Sequence, residues 1–300
     1  MIITHYMGEY FFYATLSPFL WAIVNIIDDY QIKKIYKNPS LAIIMTGLFL
    51  FVPLIISAGE ANFFETKSII FGIISGIAIV LSNWFYFKAL SREETSIVIA
   101  LWTLTPVIVY VLSFIFLGEV LNTRQSIGSG IIIVGSLLIS LFGKKYLRFS
   151  PTLIIMLFAS MLYAVNALLE KETYNNAGTF FSGFFFITLG MIIATLCFLC
   201  SKKNLYATVS VFKYNKRYLS FIVISEIINI AAMIFQDIAL SLGSVTIVKV
   251  IEGLQPIFVL TLILFLSFFV VYFRTNTNYK LLFPKLLIMA GMMFGLYLIY

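Results

Sequence analysis

The run Ala89 to Val107, ALSREETSIVIALWTLTPV, returns as Ala239 to Ile257, ALSLGSVTIVKVIEGLQPI, at a constant offset of 150. Ala, Leu, Ser, Ile, Val, Leu and Pro recur in place without a gap, and Ser96 against Thr246 and Val107 against Ile257 are near matches. Leu20, Trp21 and Ala22 correspond to Leu162, Tyr163 and Ala164 at an offset of 142, so the second copy is about eight residues longer internally. The chain is a duplication, and a fold built from two copies of one unit is more constrained than any single motif makes it.

What the unit is follows from hydrophobicity. Apolar residues make up 61% of the 300 and charged residues 11%, which excludes a water-soluble core and indicates an all-α integral membrane protein. The opening MIITHYMGEY has no Lys or Arg, so the first apolar segment is expected to stay as a span rather than act as a cleaved leader. About twenty apolar residues cross a bilayer as helix, and bare backbone is not tolerated there.

On that basis the first copy, residues 1–146, carries five spans near Tyr10–Ile27, Leu41–Ala58, Ile69–Leu90, Thr95–Leu117 and Gln125–Phe142. The second, residues 147–300, carries five near Thr152–Leu169, Phe180–Leu199, Tyr218–Leu240, Ser244–Val270 and Leu281–Tyr300. Five is odd, so the copies insert in opposite senses. The expected fold is ten transmembrane helices as two inverted five-helix repeats forming one transport domain, an arrangement typical of secondary transporters.

The connections are short, the longest being Ser201 to Arg217, and leave no room for a soluble catalytic domain. Sixteen basic residues lie in or beside the loops after the odd-numbered spans, among them Lys33, Lys34, Arg92, Lys202 and Lys203, whereas the opposite loops hold only Lys67, Arg124 and Lys171. The positive-inside rule makes the first set cytoplasmic and both termini external, in a cell-membrane protein. These loops account for the net charge of +7, so no nucleic-acid partner is implied.

From Leu117 the chain reads LGEVLNTRQSIGSGIIIVGSLLIS, a Leu-Gly-Glu closing the fourth span, a polar link with Gln, then a Gly-spaced fifth span. With ALSREETSIVIALWTLTP before it and Trp21 in the first span, this resembles the EamA-domain transporters of the drug/metabolite transporter superfamily. The second copy departs from that pattern, with Leu266, Ser267, Phe268 and Phe269 where the Leu-Gly-Glu would fall. The resemblance implies small-molecule transport through a cavity lined by spans one, three, four, six, eight and nine. It also implies cytoplasmic termini, the reverse of the charge count.

Ionisable groups inside spans are costly and tend to face a cavity or a partner. Glu226, Asn229, Gln236 and Asp237 in the eighth span fall within about a third of the helix circumference, at 100° per residue. In the ninth span Lys249 and Glu252 are three apart, the spacing at which helical side chains meet. Their first-copy equivalents are Ile99 and Trp102, so the shared fold does not require these charges. Trp21, Asn25, Tyr163 and Asn166 in the two first spans, and Asn83, Trp84 and Tyr86 in the third, are further candidates for the cavity wall. For any one of these aromatics, plain packing or an interfacial position is the competing role, in a chain that is 17% aromatic.

Pro106 and Pro256 occupy equivalent places and are expected to bend their helices as hinges, a static kink being the other reading. Gly72 with Gly76, and Gly291 with Gly295, have the spacing of close helix packing. Cys197 and Cys200 read as small apolar packers.

No catalytic or metal site is expected: His5 is the only histidine and no phosphate-binding loop is present, and no cofactor is implied. The reading is a non-enzymatic secondary transporter moving a small polar or cationic metabolite by alternating access, with a proton on Glu226 as the coupling ion if it is coupled. Its partners are the substrate, protons and the lipid bilayer, and it works as a monomer or homodimer. The alternative is a non-transporting accessory or scaffold subunit, which would close its centre with apolar side chains.

Overall fold

The computed structural model describes residues 2–36, 38–93, 98, 101–141, 151–214, 216–269 and 282–300, and among them there is no strand. Helix α1 is Ile2–Tyr30 and runs on into a wider turn, Gln31–Tyr36. There follow α2 (Pro39–Phe49), α3 (Phe51–Ser57), α4 (Thr66–Leu90), α5 (Thr105–Leu117), α6 (Thr123–Leu141), α7 (Pro151–Asn176) and α8 (Phe180–Leu199). The rest are α9 (Lys202–Tyr214), α10 (Lys216–Leu242), α11 (Val245–Glu252), α12 (Gln255–Phe269) and α13 (Leu282–Ile299).

Eight stretches among the described residues are long and apolar enough to cross a membrane, and they match eight of the ten expected spans within a few residues, except that the sixth runs on to Asn176. Thr105–Leu117 and Phe283–Ile299 are shorter apolar helices standing where the fourth and tenth were expected. The start of the fourth span, the expected loop at Ser150, and Lys37, Lys144, Lys145, Arg148, Arg274 and Lys280 lie outside the described residues.

Three spans are interrupted for one local reason. Proline has no N–H to donate four residues back, and its ring crowds that carbonyl. Pro53 follows Phe49, the last residue of α2, by four; Pro106 follows Trp102 by four; Pro256 follows Glu252, the last residue of α11, by four. Pro106 and Pro256 therefore do not bend a continuous helix, as the sequence alone suggested; each opens a new one after a two-residue turn. Around the second break the chain tightens into i→i−3 bonds, Gly253 N–H to the Val250 carbonyl and Leu254 N–H to the Ile251 carbonyl, both at 2.9 Å.

Helix α4 packs on α7 and α8, α1 packs on α10 and α12, α5 packs on α7 and α11, and α6 packs on α13. The α4–α8 contact is close because glycines meet backbone: a Cβ at Gly76 would run into the Ile187 carbonyl, and one at Gly190 into that of Ile73. Gly128 and Gly295 oppose each other in the same way between α6 and α13. Gly291, expected to share that role, faces open space, and Cys197 and Cys200 are exposed rather than packed.

The Leu-Gly-Glu motif has a physical job. Gly118 ends α5 in a left-handed conformation (φ 66°), which turns the chain so that Glu119 reaches the start of α11. Its carboxylate accepts from the backbone N–H groups of Val245 (2.9 Å) and Thr246 (3.1 Å) and from the hydroxyls of Ser244 (3.0 Å) and Thr246 (2.8 Å). An anion at a helix N-terminus is favoured by the helix dipole. On the other side of the same turn, Lys171 Nζ donates to the carbonyls of Leu240 (2.9 Å) and Gly243 (2.8 Å) at the C-terminus of α10. The α10–α11 turn is thus held by opposite charges at its two helix ends.

Helix α9 lies within the longest expected connection and was not foreseen. It carries Lys202, Lys203 and Lys213 and leaves Leu205, Tyr206, Val209 and Phe212 exposed, the pattern of a helix lying in the membrane interface.

Two stability outcomes follow. Glu119→Ala should lower stability by about 1–2 kcal/mol, the cost of an uncapped helix start, seen as a lower melting temperature of the detergent-purified protein. Gly76→Leu should cost about 1–3 kcal/mol or more through overpacking, whereas Gly291→Leu should leave the melting temperature unchanged.

Candidate functional site

A central cavity of about 150 Å³ opens between α1, α2, α4, α7, α8, α10 and the breaks beside Trp102 and Glu252. Trp21, Asn25, Asn83, Tyr86, Trp102, Tyr163, Asn166, Glu226, Asn229, Gln236, Asp237 and Glu252 all line it. Lys249, the remaining candidate, stands just behind this wall. It lines a smaller adjoining cavity with Trp102, Tyr163, Glu252 and both prolines, Pro106 and Pro256, so the two helix breaks face each other.

Lys249 is 1% exposed, and an ammonium so deep needs every proton engaged. Its Nζ donates to Tyr163 OH at 2.9 Å, lies 3.5 Å from Glu252 Oε2 and sits 4.2 Å from the centre of the Tyr163 ring. The Gln236 amide completes the set when oriented by these neighbours, Oε1 accepting from Lys249 Nζ at 2.7 Å and Nε2 donating to Glu252 Oε2 at 3.2 Å. Tyr163 OH in turn donates to Glu252 at 2.9 Å. Lys249 and Glu252 are therefore the ion pair that their spacing suggested, and Lys249 does not pair with Glu226.

Glu226, 5% exposed, has a separate environment: Thr46 Oγ1 donates to it at 2.9 Å and Asn229 Nδ2 at 3.4 Å, while Trp21 Nε1 donates to Asn229 Oδ1 at 3.2 Å. Both partners of Glu226 are donors, the set that suits a carboxylate. Trp102 lies 4.9 Å from Tyr163 and 5.5 Å from Tyr86, centre to centre, and Tyr86 OH donates to Asn25 at 3.4 Å. Aromatic faces and carboxyl groups thus line one cavity together, an arrangement that can hold a cation. Among the described residues no cluster of three or more His, Cys, Asp or Glu could hold a metal ion.

Trp84 does not line the cavity; its indole donates to Ser40 at 3.2 Å and its ring lies under the Lys88 ammonium at 4.7 Å. Sequence reasoning missed Glu170, Asp28, Thr46 and Gln255, all in the wall. Glu170 was lost because the sixth span was ended at Leu169, while α7 continues helical to Asn176. It sits one turn beyond Asn166, and that i, i+4 step was the available signal.

Comparison with known proteins agrees with this geometry. Residues 9–141 match the EamA-like transporter family. An uncharacterised protein of Methanocaldococcus jannaschii is 30% identical over 108 residues, 35% of this chain and 79% of the relative. A solved crystal structure aligns over 97% of both chains with a TM-score of 0.63 at 15% identity, a likeness of fold alone. The first half of this multi-pass membrane protein, residues 9–141, thus belongs to the EamA-like transporter family.

Proposed function

We propose that the chain is a secondary transporter that moves a small polar or cationic metabolite across the cell membrane by alternating access. The observation that carries this is the cavity itself: carboxyl groups and aromatic faces enclosed between two helix breaks at positions related by the internal repeat. A scaffold subunit would have no reason to keep Glu170, Glu226, Asp237 and Glu252 in its centre, given what a carboxyl group costs there.

The ten-span inverted repeat is part of the reading, and the packing supports it. If α1 corresponds to α7, α10 to α4 and α12 to α5, the contact of α1 with α10 mirrors that of α7 with α4. The contact of α1 with α12 likewise mirrors that of α7 with α5, and α6 on α13 is its own counterpart. In the proposed cycle the breaks at Pro106 and Pro256 serve as hinges about the central site.

A cation is favoured over an anion because Lys249, the buried ammonium just behind the cavity wall, is already committed to Glu252, Gln236 and Tyr163. Glu226, ringed by donors and close to Trp21 through Asn229, is assigned to the substrate's positive charge, with cation–π attraction from the aromatic wall. A proton is the proposed coupling ion. Both termini are assigned to the outside, from the basic loops.

The site is tested by thermal stabilisation of the detergent-purified protein against quaternary ammonium compounds, primary amines, amino acids, sugars and nucleotides. A ligand at a hundredfold excess over its Kd stabilises by about 2.7 kcal/mol, several degrees of melting temperature. A cationic hit should stabilise the wild type and lose its effect in Glu226→Gln; hits confined to anions or sugars would overturn the assignment. Orientation is tested in a chain with Cys197 and Cys200 replaced by Ser. A cysteine at exposed Asn175 should react with an impermeant maleimide on intact cells and one at Ser201 should not, the opposite pattern reversing the topology.

A further inference from the structure

Two buried carboxyl groups remain unexplained by the cation site. Glu170 on α7 and Asp237 on α10 are 4% and 1% exposed and lie within hydrogen-bonding reach of each other. Glu170 Oε2 accepts from Asn166 Nδ2 at 3.4 Å, and Asp237 Oδ2 accepts from Tyr174 OH at 3.0 Å. Asp237 Oδ1 is buried with no donor. Two ionised carboxylates have no hydrogen to place between them, so a contact of this kind is repulsive as it stands. A carboxylic acid facing a carboxylate bonds well, and it would give Asp237 Oδ1 its missing partner.

Among the described residues the surroundings do not supply a cation to do this instead: Lys171, next to Glu170 on α7, is turned to the carbonyls of Leu240 and Gly243. The ionisable groups acting on the pair from other helices are Lys249 and Glu252 of α11, and Lys249 is engaged with Glu252, Gln236 and Tyr163. On α7 itself Tyr163 and Tyr174 are neighbours, the latter donating to Asp237. Of the helices packed against α7, α4 has its lysines, Lys67 and Lys88, near its two ends, α5 has only Tyr110, and α8 has only Cys197. Three buried carboxyl groups thus surround one ammonium, and leaving all three ionised is strongly unfavourable. A metal ion is a poor substitute, because the Asn166 amide and the Tyr174 hydroxyl present hydrogens, not lone pairs, to the carboxylates.

We propose that Glu170 and Asp237 form a proton-binding site, one proton shared between the two carboxyl groups and bridging α7 to α10 across the cavity. The proposal deepens the transport reading, on which its role as the coupling site rests, by assigning the proton to this pair and the substrate charge to Glu226. Leaving the site, the proton goes to water entering the cavity, both carboxylates become ionised, and their repulsion pushes α7 and α10 apart; rebinding restores the bridge. Protonation and substrate binding thereby act on the same wall.

The test is infrared spectroscopy of the purified full-length protein in deuterated, sodium-free buffer, titrated from acid through neutral to alkaline pH. A carboxylic-acid carbonyl band should be present at neutral pH and vanish on the alkaline side with loss of one proton per chain. In the Glu226→Gln background, Asp237→Asn and Glu170→Gln should each abolish it, since the new amide donates to the remaining carboxylate and leaves it ionised. Glu226→Gln should retain it. Circular dichroism and size exclusion establish that each variant is folded. A wild type without the band at neutral pH, a band surviving both single substitutions, or one displaced by added sodium ions would overturn the proposal. None of these readouts depends on transport, so a failure of the transport reading would leave the proton site standing and be distinguishable from its loss.

Discussion

An ammonium group buried in the middle of a membrane helix dictates the arrangement around it. Lys249 cannot find water, so Tyr163 must present its hydroxyl and its ring, Gln236 its carbonyl, and Glu252 its charge. These four groups come from α7, α10 and α11, which fixes the mutual depth of three helices to within a hydrogen bond. The helix break falls immediately after Glu252 because Pro256 cannot donate to that residue's carbonyl, so the same residue ends a helix and neutralises a charge.

The duplication is most informative where the copies differ. Tyr163 is the repeat equivalent of Trp21, and Glu252 of Trp102, yet Tyr163 touches both Trp102 and Glu252. At the Trp102/Glu252 position the first copy therefore contributes an aromatic face where the second contributes a carboxylate, and Tyr163 joins the two. Identical copies would give a symmetric cavity; the divergence of the second copy makes a polarised one. The extra charges bring their own requirement for balance. Lys249 answers Glu252, Thr46 and Asn229 answer Glu226, and Asp237 keeps a buried carboxyl oxygen without a donor.

Much of this was legible in the chain because the bilayer removes alternatives. Apolar runs bounded by charge had to be helices, and eight are long enough to span while the other two are shorter apolar helices; the repeat aligned Pro106 with Pro256, and the breaks fall at matching places. Polar residues in spans had to face one another, which is why Glu226, Asn229, Gln236 and Asp237 meet in one wall. What stayed hidden depended on where elements end and how they are joined. Glu170 was cut off by a boundary drawn at the last apolar residue, although α7 continues for a further two turns of polar helix. Hydropathy also merges a helix, a two-residue turn and a second helix into one apolar run, so the prolines looked like bends. Gly291 carried the right spacing but faces outward, since spacing gives a face and not its partner. Helix α9 escaped because its apolar residues are spread around a charged sequence too short to be read as a span.

The two fastenings of α11 bear on how the proposed cycle would move. Glu119 holds its first turn through four hydrogen bonds, and the Lys249–Glu252–Tyr163 contacts hold its last. A helix of eight residues anchored at both ends moves as one body with α7 and with the end of α5. Bending must then concentrate in the turn at Gly253 and Leu254, where no side chain from the ionic network crosses the gap to α12. At the equivalent position of the second copy, Leu266, Ser267, Phe268 and Phe269 stand in place of the Leu-Gly-Glu, so the sequence repeats no Glu there. In alternating access, α12 would swing while α11 carries its charges with α7, keeping Lys249 neutralised in both end states.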